Sequence, residues 1–166
     1  MSSFFRYSPA DRPPLRIGLL LDSQVLPAFA ARIVADIKEC NFANVEFLVY
    51  RKPSNHTGKQ NRKLTILARL TDPKLREKAL YAAYLKLDRK MKPVNHPLDP
   101  VDCCTLLSGI EQIEVDPEGK KFVHRFPSDA IATIRAKNLD VILRFGFNIL
   151  HGDILQSARY GVWSYH

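Results

Sequence analysis

A histidine and a glycine turn lie near each other at the end of the sequence, where they could serve one reaction. The apolar run Val141–Phe145 predicts a strand, and Gly146 predicts a turn whose backbone can approach a ligand closely. A second strand is predicted to start at Gly161 and to reach His166. A histidine at a strand end can accept or donate a proton near neutral pH, so His166 is a candidate catalytic residue.

The residues around the glycine could also bind a flat molecule. Phe145 and Phe147 could flank a ring, and the backbone N–H and C=O groups of the turn could read its edges. In open α/β sheets, ligands bind beyond the carboxyl ends of the strands, which is where this turn is predicted to lie.

A second turn in the sequence is predicted to lie at the same edge of a sheet. Leu21–Gln24 follows the first predicted strand, but it lacks both the Gly-x-Gly-x-x-Gly pattern and the P-loop pattern. A dinucleotide site and a nucleoside triphosphate site are therefore not expected there.

The first fifty residues predict a strand, a helix and a strand. Leu15–Asp22 is short and almost continuously apolar, as in a buried strand. Val25–Cys40 has apolar residues at helical spacing, with Asp22 or Ser23 as the expected N-cap. Val45–Tyr50 is the next strand, which completes a right-handed βαβ unit.

The second half of the sequence again alternates strands and helices. Ile110–Val115 predicts a strand, Pro127–Lys137 a helix, Leu139–Phe145 a strand and Gly152–Ser157 a short helix. The whole pattern predicts an α/β domain whose mainly parallel sheet is flanked by helices.

Most of the positive charge falls in one segment. Residues 51–92 contain 13 Lys or Arg and 3 Asp or Glu, whereas the whole chain has a net charge of +8. Asp72–Met91 predicts a basic amphipathic helix, and residues 51–100 are expected to form an insertion. The helix could lie on a membrane surface or on RNA, or the segment could be a solvated insertion whose apolar stripe packs on its own domain.

Length and composition narrow the class of protein. The 166 residues suit one domain with a real core, and no apolar run approaches the roughly 20 residues of a membrane-spanning helix. We therefore expect a cytoplasmic protein. Cys40, Cys103 and Cys104 have no metal-ligand spacing, so they are expected to be structural thiols and no metal site is predicted.

The pattern of the last 28 residues resembles the formyltransferase-like family, which includes methionyl-tRNA and phosphoribosylglycinamide formyltransferases. The resemblance lies in the strand and turn of Leu139–Leu150, in Ile154-Leu155 and in Gly161–His166. The family pattern is a strand ending in Gly-Phe, then Ile-Leu, a short helix, and Gly-x-x-Asn-x-His.

The resemblance implies a Rossmann-like fold and transfer of a formyl group from 10-formyltetrahydrofolate to an amine, such as an amino sugar, an aminoacyl-tRNA or a small metabolite. His166 matches the catalytic histidine, and Ser164 stands where the family has its catalytic asparagine. The residues that match the turn lining the pterin pocket are Phe147, Asn148, Ile149 and Leu150.

Two departures from the family pattern leave alternatives open. The family's catalytic aspartate lies downstream of the histidine, so we expect residues 1–166 to be the N-terminal part of a longer enzyme and not to transfer formyl groups alone. Because Ser164 replaces the asparagine, a binding module that kept the fold without the chemistry is the first alternative. Nucleic-acid binding through the basic segment is the second.

Overall fold

The largest sheet in this computed structural model has five parallel strands. The structure describes residues 7–9, 11–52, 80–81, 83–84, 87–88, 96–119 and 123–165. In chain order the elements are β1 (Leu15–Leu21), β2 (Val25–Pro27), α1 (Ala28–Glu39), β3 (Ala43–Arg51), β4 (Pro100–Asp102), α2 (Cys104–Leu107), β5 (Glu111–Val115), β6 (Val123–Arg125), α3 (Ser128–Ala136), β7 (Val141–Arg144), β8 (Ile149–His151), the 3-10 helix η1 (Asp153–Gln156) and β9 (Val162–Ser164).

The strand order is β5-β3-β1-β7-β9, and every neighbouring pair in this sheet is parallel. From β1 the chain builds the sheet outward through β3 and β5, and then returns to the other side of β1 to add β7 and β9. The order therefore reverses between β1 and β7, which is the position where open α/β sheets bind ligands. The predicted Rossmann-like α/β fold is confirmed.

Both faces of the sheet are covered by helices. Leu19 and Leu21 point to one face, where they belong to a core cluster that includes Val34 of α1. Leu20 points to the other face and belongs to a cluster with Ile134 of α3. Because β1 is buried on both faces, its sequence is continuously apolar instead of alternating.

The start of the first helix differs from the prediction. Residues 25–27 form β2, which pairs with β4, and the N-cap of α1 is Pro27 instead of Asp22 or Ser23. The Ser23 hydroxyl accepts a hydrogen bond from the Val25 N–H at 3.2 Å, which fixes a local turn. The first amide of α1, that of Ala28, donates to the Asp99 carbonyl. These contacts replace the first turn of the predicted helix.

The chain divides into two compact units, Met1–Pro53 with Leu98–His166, and Ser54–Pro97. In the second unit residues 80, 81, 83, 84, 87 and 88 are helical, within the predicted basic helix. The remainder of that predicted helix lies outside the described residues. Across the described parts of both units, no helix has the length and apolar character needed to cross a membrane.

Candidate functional site

The carboxyl ends of β1, β7 and β9 surround a cavity of about 200 Å³, which we call the edge cavity. It lies at the reversal of strand order described above. Its lining residues are Asp22, Phe29, Arg144, Phe145, Gly146, Phe147 and Tyr165.

The turn after β7 is held tightly against the end of β1. The amides of Phe145 and Gly146 both donate to the Leu20 carbonyl, at 3.0 and 2.9 Å. A Cβ atom on Gly146 would lie 2.3 Å from the Asp22 nitrogen, so a side chain at this position would displace the turn or β1. Phe147 then adopts a φ of 58°, in the left-handed region. The predicted glycine turn is confirmed, and its close approach to β1 explains why glycine is needed.

Asp22 connects three segments of the chain at this edge. Its Oδ1 accepts a hydrogen bond from the Phe147 amide at 2.9 Å and lies 3.1 Å from Arg51 Nε. The side chains of Asp22 and Arg51 are 46% and 35% exposed. Two donors on one oxygen fix the orientation of the carboxylate while leaving it open to solvent.

Aromatic rings provide much of the lining of the edge cavity. The Phe29 ring lies 4.9 Å from Tyr165 and 6.3 Å from Phe145, measured between ring centroids. The Phe147 ring packs 5.0 Å from Phe126, within the second core cluster. These apolar walls suit an uncharged or flat part of a ligand.

His124 of β6 lies on the far side of Phe147, with its ring edge-on at 6.2 Å. Its Nδ1 is buried and has no hydrogen-bond partner among the described residues. Burial lowers the pKa of His124, the charge of Arg51 lowers it further, and Asp22 opposes the shift. A neutral imidazole beside the turn is therefore favoured at neutral pH.

Of the predicted cofactor-binding residues, Phe147 lines the edge cavity and the other three lead away from it. Asn148 and Ile149 are exposed, and the Asn148 carbonyl accepts a hydrogen bond from Arg144 Nη1. Leu150 is half-buried in β8 and packs against the second core cluster. The turn therefore has an inner end, Phe147, at the edge cavity, and an outer end, Asn148 and Ile149, in solvent.

Of the predicted catalytic residues, Ser164 is the last residue of β9 and is exposed. It is in register with Arg144 of β7, at the same edge of the sheet as the cavity. Tyr165, which follows it, lines the cavity. His166 lies outside the described residues.

The sequence did not single out Asp22, Arg51 or His124 as site residues. The first two follow or end buried strands, and that position is a signal that could have identified them. His124 has no such signal, because its place depends on the parallel pairing of β6 with β8, some 25 residues away in sequence. Among the residues described here, no group of three or more His, Cys, Asp or Glu side chains is placed to hold a metal ion.

Comparison with known proteins returned no family for this chain: no protein-family model matches it, and no curated protein and no solved structure is significantly similar to it. The fold and the edge cavity define the class, an α/β protein with a Rossmann-like parallel sheet and a small cavity at its switch point. The fold alone does not define a function, because one fold supports many functions.

Proposed function

We propose that this chain is the N-terminal part of a formyltransferase-like enzyme, which transfers a formyl group from 10-formyltetrahydrofolate to an amine. The proposal is supported by the pattern of residues 139–166 and by where its parts lie. The turn after β7 and the end of β9, which are separate parts of that pattern, meet at one edge of the sheet.

The main support for the proposal is the turn Phe147–Leu150, which borders the edge cavity at one end and is exposed to solvent at Asn148 and Ile149. Its outer end, at Asn148 and Ile149, is exposed, and the apolar Ile149 side chain is available to pack on the flat ring of a folate. Its inner end, at Phe147, borders the edge cavity, which is too small for a whole folate but can admit a small amine. The formyl group would be held where these two surfaces meet.

Bound 10-formyltetrahydrofolate would supply the formyl group. The amine nitrogen forms a bond to the formyl carbon, while the bond from that carbon to N10 of the folate breaks. One proton of the ammonium passes to N10 and a second is released to solvent. In this proposal His166 and the Ser164 hydroxyl donate hydrogen bonds to the formyl oxygen as negative charge develops on it.

Isothermal titration calorimetry with 5-formyltetrahydrofolate, a stable analogue, tests the proposal. The chain should bind the analogue, and Ile149→Ala should weaken binding several-fold by removing an exposed apolar contact beside the turn. The matched control is Leu155→Ala, which removes an exposed apolar side chain from η1 and should leave binding unchanged. If neither this chain nor any longer natural form binds 5-formyltetrahydrofolate, the proposed function is wrong.

A binding module without transfer activity is the second candidate, and Ser164 favours it. A serine hydroxyl donates one hydrogen bond and has shorter reach than the asparagine amide of the family pattern. Ser164→Asn in the longest natural form distinguishes the two functions. A gain in formyl transfer favours the enzyme, whereas folate binding with no transfer in either protein favours the binding module.

A further inference from the structure

We infer that the edge cavity takes a small zwitterion, an α-amino acid with an apolar side chain, as the amine acceptor. Two oppositely charged side chains, Asp22 and Arg144, line this one cavity together with aromatic rings. The inference rests on the proposed function, because it names the acceptor class for that reaction.

The carboxylate of Asp22 is suited to bind an ammonium group. Oδ1 is held by the Phe147 amide and by Arg51, so the orientation of the group is set before a ligand arrives. For Oδ2 no hydrogen bond is found within the described part of the chain. An ammonium ion donating to Oδ2 gains a charge-assisted hydrogen bond without displacing either existing donor.

The guanidinium of Arg144 provides the complementary charge. Its Nη1 donates to the Asn148 carbonyl, which ties the side chain to the turn, and within the described part of the chain no partner is found for its other N–H groups. Since Arg51 already pairs with Asp22, an added cation alone would meet a cavity with excess positive charge. A ligand that carries its own carboxylate avoids this penalty, because its carboxylate can pair with Arg144.

The aromatic walls favour an apolar side chain on that ligand. Phe29, Phe145 and Tyr165 line the cavity, with Phe29 packed against the other two rings, and no charged side chain other than Asp22 and Arg144 lines it among the described residues.

Formylation of the amine removes the charge that Asp22 recognises. The product is a neutral formamide on nitrogen, with its carboxylate unchanged, so it should bind more weakly than the substrate. Asp22 is therefore a positioning residue for the acceptor and also a means of favouring product release.

Calorimetric titration with three matched compounds tests the inference. L-leucine carries both charges, L-leucine methyl ester only the ammonium, and N-acetyl-L-leucine only the carboxylate. L-leucine should bind at least tenfold more tightly than either derivative, with Asp22→Asn and Arg144→Gln each weakening it at least tenfold. Asp36→Asn, which changes an exposed aspartate paired with Arg32 on α1, should have no effect.

Equal binding of L-leucine and either derivative would overturn the inference, as would unchanged affinity in Asp22→Asn. Asparagine keeps an oxygen for the Phe147 amide, and the circular dichroism spectrum of the variant checks that it is folded. Titration with 5-formyltetrahydrofolate separates the two proposals. If the folate analogue binds and L-leucine does not, only the acceptor assignment fails; if neither binds, the proposed function fails as well.

Discussion

Gly146 is the residue on which the geometry of the edge cavity depends. Its missing side chain lets the turn after β7 come within hydrogen-bonding distance of β1, and this contact places Phe147 against Asp22. The same contact could not be deduced from the sequence, which shows only that a glycine follows an apolar strand.

Replacement of Gly146 by alanine should destabilise the fold by about 1–3 kcal/mol, as overpacking of a buried site does. The added Cβ would meet the backbone nitrogen of Asp22, which cannot move without disturbing β1. Gly18→Ala is the control, because its Cβ would meet mainly the end of the Leu139 side chain, which can rotate away at smaller cost. Urea denaturation measures both. Equal losses for the two variants would contradict this account of the turn.

His124 should make stability depend on pH. Its pKa in the folded protein is lowered, mainly by burial, from the ordinary value near 6.5. Below about pH 6.5 the unfolded chain therefore binds a proton more readily than the folded one, so stability falls as the pH is lowered and levels off below the folded pKa. Urea denaturation at several pH values should show a shallower decline for His124→Gln than for the wild type.

Exposed His151 supplies the control for that measurement. His151→Gln makes the same substitution at an exposed position and so controls for the loss of a histidine ring. A His124→Gln profile parallel to that of the wild type would mean that the buried Nδ1 does not govern protonation.

At the scale of elements, α3 packs on one face of the sheet through Ala130, Ile131 and Ile134, of which Ile134 is fully buried. Ile134 is 0% exposed, so Ile134→Ala should cost about 2–5 kcal/mol of unfolding free energy through lost burial and the cavity left behind. Ile149→Ala deletes the same atoms from a side chain that is 59% exposed and should cost much less. Thermal or urea denaturation compares them. Similar costs would show that α3 does not pack as described.

The sequence predicted the elements whose hydrophobic pattern is strong and local. β1 and α3 lie within one to two residues of their predicted bounds, because a continuous apolar run and a helical apolar face each identify one kind of element. β2 was missed because it exists through pairing with β4, some 75 residues later. A three-residue strand made by such a distant partner leaves no periodic signal.

The candidate site was predictable only in part, for a related reason. The glycine turn and the end of β9 follow from local sequence and from the rule for open α/β sheets. The Asp22–Arg51 ion pair and the contact between His124 and Phe147 join residues from separate segments. Such contacts depend on sheet order, which the sequence alone did not provide.

At the scale of the whole molecule, the excess positive charge is concentrated in one segment of the chain. Residues 51–92 carry the excess of Lys and Arg. Within that segment the described helical residues include Leu80, Tyr81, Tyr84 and Leu87, all exposed. Basic residues interleaved with exposed aromatic ones are typical of surfaces that bind single-stranded nucleic acid. Nucleic-acid binding through this segment can therefore be tested separately from folate binding.

The nucleic-acid alternative predicts a steep salt dependence. If six to ten phosphates are contacted, affinity for a single-stranded RNA should fall on the order of a thousandfold between about 50 and about 200 mM salt. Replacing Lys86, Arg89 and Lys90 with glutamine should weaken binding and flatten that slope, whereas Lys38→Gln on α1 should not. Fluorescence anisotropy measures both. Undetectable or salt-independent binding would exclude this function.

The proposed function requires that ligand binds at the carboxyl edge of the sheet, at the reversal of strand order between β1 and β7. Titration of ¹⁵N-labelled protein with 5-formyltetrahydrofolate, followed by backbone amide chemical shifts, tests it most directly. We expect saturable shifts in the amides of residues 145–150 and of Asp22, and none at Ser8 and Asn41 beyond the opposite end of β1. Shifts confined to that opposite edge, or no shifts at all, would contradict it.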